Sequence, residues 1–415
     1  MNQPLHFDTR AIHEGIKDHD WEGSTLPPIF QTAAHFHDTA AHLGQTFAGE
    51  RPDHIYMRLT NPTNRFLEER LASLESGQAA VVTASGMAAI SNACMTLLRA
   101  GDEFVASSSL FMSTYALFTN IFKKYGITVR LADPLNLNDI AAQVTDKTRF
   151  IYMETITNPG MEIPDLEKIA ALAHENGVPL MVDNTLASPW LCRPIELGAD
   201  IVVHSTTKYF SGHGAALGGV VVDAGNFNWD TDRFGDFAPF VAQKGNLAFL
   251  HRLFKEHHVN FGTTAAPFHS FLTVLGLSTM GVRMERHMTN AVQTATFLRE
   301  HPKVTWVNFV GFSDHPCHEM ARKQFGGKGF GTMLTFGLAD QDACFRLVDH
   351  LSLILNLANL GDCKTLIIHP YSSQYVSFPK ELKDRLADPC LLRFSVGIEH
   401  IDDICNDLSA ALETV

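Results

Sequence analysis

The sequence predicts an α/β fold built on a mainly parallel sheet of about seven strands, followed by a smaller α+β domain. Two observations carry this prediction. Between about Gly77 and Asp223, short and continuously apolar runs alternate with helical stretches, which is typical of a sheet covered on both faces. Beyond about Ala265, the pattern changes to a long helical stretch and then to separated strand-like pieces.

The apolar runs define the predicted strands. They cover residues 80–83, 104–106, 127–131, 150–153, 179–182, 200–203 and 219–222. One connecting helix is also clear, because Pro164 and Asp165 suit a first turn and Gly177 suits a C-terminal cap. Between them, Leu166, Ile169, Ala170 and Ala173 form an apolar stripe that would pack on the sheet.

The remaining segments suggest the domain organisation. The long helical stretch that begins near Ala265 runs through Glu300. Residues 332–336 resemble a strand, and a final amphipathic helix covers about 401–412. The first 60 residues have weak periodicity and contain Pro27 and Pro28, so they resemble an extended arm. We expect an arm at 1–62, a large domain at 63–264 and a C-terminal α+β domain at 265–415.

Composition narrows the class of protein. The 415 residues are 45% hydrophobic and 19% charged, and the N-terminus lacks the basic and apolar segments of a signal peptide. We therefore expect a cytoplasmic protein that does not enter a membrane. A net charge of −13 disfavours nucleic acid as a partner and favours small molecules. The seven cysteines form no CxxC pair, and His315, Cys317 and His318 lack a second ligand pair, so we expect no metal site.

An acid and a lysine follow two predicted strands. Asp183 directly follows the 179–182 run, and Lys208 lies shortly after the 200–203 run. Ligands of open α/β sheets bind at the carboxyl ends of the strands, so both side chains are expected in one crevice. Pyridoxal chemistry uses this combination, because a lysine amine forms the Schiff base and a carboxylate keeps the pyridine nitrogen protonated.

Two further segments could hold a phosphate. The hydroxyls of Ser205 and Thr207, which shortly precede Lys208, are well placed to donate to one. At Ser85, Gly86 and Met87 a strand turns into a helix, whose first N–H groups and positive dipole end attract anions. By itself this second segment is equally compatible with a strand-to-helix turn capped by a serine.

Together these motifs resemble the Cys/Met-metabolism family of pyridoxal-phosphate enzymes, and the resemblance covers nearly the whole chain. The matching segments are 56–63 (YMRLTNPT), 85–87 (SGM), 182–185 (VDNT), 199–213 (ADIVVHSTTKYFSGH) and 392–399 (LRFSVGIE). The resemblance implies the fold of PLP-dependent transferases (fold type I), with pyridoxal 5'-phosphate held on Lys208. It also implies a homodimer at least, and usually a homotetramer.

The resemblance also implies roles for individual residues. Tyr56 and Arg58 would reach the phosphate of a neighbouring subunit's cofactor. The planar guanidinium of Arg58 could bind that phosphate through two hydrogen bonds. Arg393 would bind the α-carboxylate of an amino-acid substrate. Asp183 would contact the pyridine nitrogen, and Asn158 would contact the phenolic oxygen of the cofactor.

Within the family, the chain is most similar to the O-acetylhomoserine sulfhydrylase branch. This similarity lies in 218–229 (GGVVVDAGNFNW), 357–362 (LANLGD) and 396–404 (VGIEHIDDI). Asn359 stands where γ-lyases commonly have serine, and we expect it to contact the substrate. The implied reaction joins O-acetyl-L-homoserine to sulfide, or to a thiol such as methanethiol, and yields homocysteine or methionine with acetate. Lys208 would carry protons at Cα and Cβ.

Phe111 departs from the family pattern. The family usually stacks a tyrosine on the cofactor ring, and here Phe111 keeps the ring without the phenol. A phenol can exchange protons near the leaving group, so its loss favours an activated ester over a thiolate as leaving group. Three alternatives remain: an O-succinylhomoserine sulfhydrylase, a methionine or homocysteine γ-lyase, and a cofactor-binding protein without turnover. The sulfur donor, free sulfide or a sulfur-carrier protein, is also open.

Overall fold

The computed structural model describes residues 5–19, 21–378 and 380–415. Met1–Pro4 and Asp20, which belong to the expected arm, lie outside the described residues. The large sheet has seven strands, and each overlaps a predicted apolar run. They are β1 Ala79–Thr83, β2 Glu103–Ser107, β3 Thr128–Ala132, β4 Thr148–Glu154, β5 Leu180–Asp183, β6 Ile201–His204 and β7 Gly219–Asp223.

The large sheet is mainly parallel, as predicted. Its strand order is β1-β7-β6-β5-β4-β2-β3, and β7 alone runs antiparallel to both of its neighbours. The other strands therefore share one direction, and their carboxyl ends meet at one edge. Alternate side chains enter two separate cores, so Val182 packs on one face of the sheet and Met181 on the other.

Helices of the arm and of the large sheet cover this scaffold. They are α1 Phe7–His13, α2 Ala40–Ala48, α3 Pro62–Leu74, α4 Gly86–Leu97, α5 Met112–Ala116, α6 Phe122–Lys124, α7 Leu137–Gln143, α8 Leu166–Glu175, α9 Ser188–Leu191, α10 Ala238–Lys244, α11 Ala248–Arg252 and α12 Val259–Phe261. Short 3-10 or π turns cover Leu117–Ile121, Pro194–Leu197, Asp232–Phe237, Gly245–Leu247 and Leu253–His258. The predicted helix is α8, with Asp165 accepting a bond from the N–H of Lys168.

The arm contains more regular structure than its weak periodicity suggested. Helix α1 packs against α3, where the guanidinium of Arg70 donates to the backbone carbonyls of Ala11 and Glu14. Helix α2 ends at Gly49, which adopts a left-handed conformation at φ +76°. Such short helices depend on contacts made elsewhere in the fold, which a single-sequence pattern does not report.

The C-terminal part contains a five-stranded sheet in the order β10-β11-β12-β9-β8. Its strands are β8 Trp306–Asn308, β9 Met333–Gly337, β10 Leu355–Asn356, β11 Leu366–Ile368 and β12 Leu391–Ser395. Its helices are α13 Pro267–Leu277, α14 Met280–Glu300, α15 His318–Gln324, α16 Gln341–His350, α17 Lys380–Leu386 and α18 Ile401–Leu412. Over the residues that are described, no helix is both long and apolar enough to cross a membrane.

The predicted single helical stretch up to Glu300 is two helices. The break lies at Ser278 and Thr279, between α13 and α14. The carbonyl of Gly276 accepts bonds from the guanidinium of Arg283 and from the N–H of Thr279, which removes it from the regular helical ladder. These contacts are polar and are made to the backbone, so hydrophobic periodicity did not reveal the break.

Candidate active site

A cavity of about 200 Å³ opens at the carboxyl ends of β4, β5 and β6, between the large sheet and residues from the C-terminal sheet. Eleven of the thirteen predicted site residues line it. They are Ser85, Gly86, Met87, Phe111, Asn158, Asp183, Ser205, Thr207, Lys208, Asn359 and Arg393. The structure therefore brings together residues from seven separate segments of the sequence.

One end of the cavity presents backbone and hydroxyl donors. Helix α4 begins at Gly86, and its first helical bond runs from the N–H of Ala89 to the carbonyl of Ser85. The N–H groups of Gly86 and Met87 precede that bond and so have no acceptor within the helix. A Cβ at Gly86 would lie 2.7 Å from the Cβ of Ser205, so glycine lets the helix start and the Ser205 loop meet.

The Ser205 loop is held at this end by its own hydrogen bonds. The N–H of Ser205 donates to the hydroxyl of Thr185 at 2.9 Å. The hydroxyl of Thr207 accepts from the N–H of Gly218 at 3.1 Å. The Thr207 hydroxyl also donates to the carbonyl of Gly218 at 3.3 Å. With the start of α4, the Ser205 and Thr207 hydroxyls form a concave polar surface that suits a phosphate.

Lys208 lies deeper in the cavity. Its Nζ donates to Oδ1 of Asn359 at 2.5 Å. Burial, together with the positive charge of Arg393, lowers the pKa of Lys208 to about 8, although Asp362 acts in the opposite direction. A larger fraction of this amine is therefore neutral near neutral pH than for an exposed lysine, and the neutral amine is the nucleophile and base.

Asp183 forms the floor of the cavity at the end of β5. Its carboxylate accepts from the N–H of Thr185 at 3.0 Å and from the hydroxyl of Tyr152 at 3.4 Å. Burial raises the pKa of Asp183, while the bonds from Thr185 and the charge of His204 act in the opposite direction. A cationic ring nitrogen against this carboxylate would stabilise its ionised form.

Arg393 closes the opposite end and is 2% exposed. Its guanidinium donates to Asn158 Oδ1 at 3.3 Å, Gln374 Oε1 at 3.4 Å and the carbonyl of Asn359 at 3.1 Å. Burial lowers its pKa to about 10, so it remains cationic at neutral pH. Its Nε is buried and has no hydrogen-bond partner among the residues that the structure describes, so it retains a donor for an anion.

Tyr56 and Arg58 lie outside this cavity. Tyr56 is 43% exposed, and the Arg58 guanidinium lies 5.5 Å from its ring centroid. Arg58 Nη1 donates to the carbonyl of Val259 at 2.7 Å. Within one chain, these two residues therefore do not join the other eleven.

The predicted site residues did not include three polar residues of the cavity wall: Glu154, Thr185 and Gln374. Thr185 lies two residues after Asp183, within the 182–185 motif. Glu154 ends β4 beside Asp183, which ends β5. The signal that identified Asp183, an acid at the carboxyl end of an apolar strand, was equally present at Glu154. Gln374 gave no such signal, because it lies in an irregular segment and reaches the cavity only through tertiary packing.

The His315 segment contains no metal cluster. His315 pairs with the side chain of Asn308, and His318 pairs with the carbonyl of Val310. Throughout the described ranges, no group of three or more His, Cys, Asp or Glu side chains could hold a metal ion.

Comparison with known proteins decides the family. The family of Cys/Met metabolism PLP-dependent enzymes matches residues 8–413. The chain belongs to this family. Pyridoxal phosphate is therefore its cofactor, and the residues present fit that group: donors for a phosphate, a carboxylate for the ring nitrogen, a lysine between them, and the unpartnered Arg393 Nε for a substrate anion.

Individual family members agree over the full length. Homocysteine synthase of Schizosaccharomyces pombe is 40% identical over 98% of this chain and 98% of its own. O-acetyl-L-homoserine sulfhydrylase of Leptospira meyeri is 37% identical over 100% of this chain and 98% of its own. A Campylobacter jejuni structure assigned as an O-acetylhomoserine (thiol)-lyase, with pyridoxyl-lysine monophosphate, matches with TM-score 0.94 and 32% identity over 99% of this chain and 100% of its own.

These matches confirm the predicted family, the predicted α/β fold of PLP-dependent transferases and the predicted cofactor. They show that this family member is an enzyme. The roles of its individual residues stay predictions that the geometry now makes specific.

Proposed function

We propose that this enzyme transfers the aminocarboxypropyl group of O-acetyl-L-homoserine to sulfide, releasing acetate and forming L-homocysteine for methionine biosynthesis. Methanethiol in place of sulfide would give methionine directly. The observation that carries the proposal is the convergence of Lys208, Asn359 and Arg393 in one cavity. Full-length relatives named homocysteine synthase and O-acetyl-L-homoserine sulfhydrylase support the same reaction.

Three side chains divide the work. Arg393 binds the substrate α-carboxylate through a paired, charge-assisted contact. When bound, pyridoxal phosphate supplies an electron sink that acidifies the carbon bearing the amine. Asp183 keeps the ring nitrogen protonated, and the Lys208 amine, with its pKa lowered to about 8, moves protons at Cα and Cβ.

The charge of the cavity supports an acetyl ester over a succinyl ester. Of the described residues that line it, Lys208 and Arg393 carry the positive charge, and both have roles in the proposed reaction. The wall also includes apolar Ile156, Leu186 and Leu360. An acetyl group adds no charge to this wall, whereas the carboxylate of a succinyl group would be buried without a cation of its own.

Phe111 supports an acyl ester of homoserine over methionine or homocysteine as the substrate. It lines the cavity and presents a ring without a hydroxyl. A γ-lyase must expel a thiolate, which is a poorer leaving group than acetate and benefits more from a nearby proton donor. The proposal therefore predicts little formation of 2-oxobutyrate from methionine or homocysteine by the wild-type enzyme.

A matched assay tests the proposed reaction. Purified enzyme receives O-acetylhomoserine or O-succinylhomoserine, each with and without sulfide, and homocysteine and 2-oxobutyrate are measured together. We expect homocysteine only with sulfide, and faster from the acetyl ester. Faster reaction of the succinyl ester would reassign the acyl donor, and 2-oxobutyrate as the main product would make the enzyme a lyase. Homocysteine formed from free sulfide alone would remove the need for a sulfur-carrier protein.

We further propose that two subunits complete each site, within a homodimer at least and a homotetramer by family resemblance. Tyr56 and Arg58, which lie outside their own chain's cavity, would contact the phosphate bound by a second copy. The exposure of apolar arm residues supports a covering partner, since Phe36 is 90% and Phe47 62% exposed. The proposal includes the domain bounds 1–62, 63–264 and 265–415. The first of these segments, the arm, would contribute residues to the active site of the neighbouring subunit.

Subunit mixing tests shared sites. Arg58→Ala and Lys208→Ala are each expected to be nearly inactive alone. Unfolded together and refolded, they would form hybrids in which one site has both wild-type residues, so activity would recover to about a quarter of wild type in a random dimer. No recovery, with hybrids demonstrated by mass, would show that Arg58 acts within its own chain.

The seven free cysteines support a cytoplasmic location, which subcellular fractionation tests.

A further inference from the structure

Glu154 is a buried carboxylate in the cavity wall that the proposed reaction does not use. It is 3% exposed and lies beside Asp183 across the parallel pairing of β4 and β5. Both carboxylates line the cavity. A carboxylate buried next to another carboxylate is costly unless hydrogen bonds hold it, so its contacts indicate what it does.

Each oxygen of Glu154 holds a different loop. Oε1 accepts from the N–H of Phe111 at 2.7 Å, and Oε2 accepts from the N–H of Asn158 at 3.3 Å. Phe111 immediately precedes α5, whereas Asn158 lies in the turn that follows β4. Glu154 therefore fixes the spacing between two backbone segments whose side chains both line the cavity.

The protonation of Glu154 fits this role. Burial and the nearby charge of Asp183 raise its pKa well above the usual range, while the two N–H groups act in the opposite direction. Burial raises the pKa of Asp183 as well, and a cationic ring nitrogen against Asp183 would favour ionisation there rather than at Glu154. Both oxygens keep their acceptor lone pairs towards the loops whether or not a proton is present.

We propose that Glu154 is a positioning residue that sets the distance between Phe111 and Asn158. The cofactor ring would lie between the Phe111 ring and the Asn158 amide, so this distance would set its position. This inference rests on the roles of Phe111 and Asn158 in the proposed function. It assigns to Glu154 no contact with the substrate. Its consequence is that the orientation of the bound ring depends on having two acceptor oxygens at this position.

Glutamine at this position tests whether both hydrogen bonds, to Phe111 and to Asn158, are needed. Glu154→Gln keeps the side-chain volume, but its single carbonyl oxygen can accept only one of the two N–H groups, and its NH2 would oppose the other. Glu154→Asp keeps two acceptors on a side chain shorter by one carbon. Glu167→Gln makes the same chemical change on the surface, where Glu167 pairs with Lys323, and serves as the matched control.

The experiment measures the circular dichroism of the bound cofactor in the visible range, per mole of cofactor, together with kcat and the KM of both substrates. For Glu154→Gln we expect the dichroism to fall at least about twofold and kcat about tenfold, which corresponds to one lost buried hydrogen bond. The KM of sulfide should stay within about twofold, and Glu154→Asp should recover part of the dichroism. Glu167→Gln should match wild type.

Wild-type dichroism and kcat in cofactor-loaded Glu154→Gln would overturn the inference. Glu154 would then contribute only to the stability of the fold. If Glu154→Gln does not fold, Glu154→Asp carries the same test, because its shortened reach must still shift the dichroism. Failure of the proposed reaction is seen separately, since it would change the product of the wild-type enzyme, whereas the dichroism reports ring orientation whichever product is formed.

Discussion

The amine of Lys208 donates to the side-chain oxygen of Asn359 at 2.5 Å, and the backbone carbonyl of the same asparagine accepts from Arg393 at 3.1 Å. One residue therefore contacts both the proposed proton carrier and the proposed carboxylate ligand. It comes from the segment before β11, whereas Lys208 follows β6, so this contact joins the two sheets. The position of the lysine amine thus depends on the C-terminal part of the chain.

Replacing Asn359 should impair the chemical step more than substrate binding. Asn359→Ala removes the acceptor that orients the Lys208 amine, and a hydrogen bond to a charged group contributes about 1.5–3 kcal/mol. We expect kcat to fall about ten- to hundredfold, with a smaller change in KM for the amino acid. Steady-state kinetics measures both. Asn356→Ala, in exposed β10, is the control, and an unchanged kcat in Asn359→Ala would contradict the proposed orientation.

Lys208 should react at a lower pH than an ordinary lysine. Only the neutral amine attacks the cofactor aldehyde, and the pKa of Lys208 is lowered to about 8. In apoenzyme prepared with hydroxylamine, the rate of cofactor attachment should rise about tenfold per pH unit below 8 and level off above it. Rapid-mixing absorbance follows this reaction. A rate that keeps rising towards pH 10 would show that burial and Arg393 do not depress the pKa.

A lysine should not replace Arg393. Arg393→Lys keeps the charge but loses the planar pair of donors that grips a carboxylate. We expect KM for O-acetylhomoserine to rise about tenfold or more, with little change in the KM of sulfide. Arg346→Lys, at an exposed position, provides a control of the same type. Equal increases in both KM values would indicate a general disturbance of the cavity.

A buried pair beneath the sheet should contribute to stability. Oε1 of Glu75 accepts from Nδ2 of Asn184 at 2.9 Å and pairs with Nε2 of His204 at 2.5 Å, and Glu75 is fully buried. Glu75→Gln should cost about 1–3 kcal/mol in the free energy of unfolding, because its amide would place buried N–H donors at the position of Oε2, which has no hydrogen-bond partner among the described residues. Urea unfolding of the cofactor-loaded protein measures the loss. Glu69→Gln, in a partly exposed pair, should cost less than about 1 kcal/mol.

The sequence predicted what depends on local pattern. Apolar runs identified all seven strands of the large sheet, because strands buried on both faces are continuously apolar. Asp183 and Lys208 were found because they follow such strands. Gln374 was not predicted, since it reaches the cavity only through contacts with other segments, such as that with Arg393. The break at Ser278 was not predicted because it depends on polar contacts of the backbone, which hydrophobic periodicity does not report. Tyr56 and Arg58 lie outside the cavity of their own chain, and the role proposed for them depends on a second copy.

The most direct test of this account is to locate the attachment site of the cofactor. The holoenzyme is reduced with borohydride and digested, and the peptides are mapped by mass spectrometry. We expect the pyridoxyl group on the peptide that contains Lys208, and its loss in Lys208→Ala but not in the exposed control Lys168→Ala. A pyridoxyl group on another lysine of the wild-type enzyme would contradict the proposed site and every role derived from it.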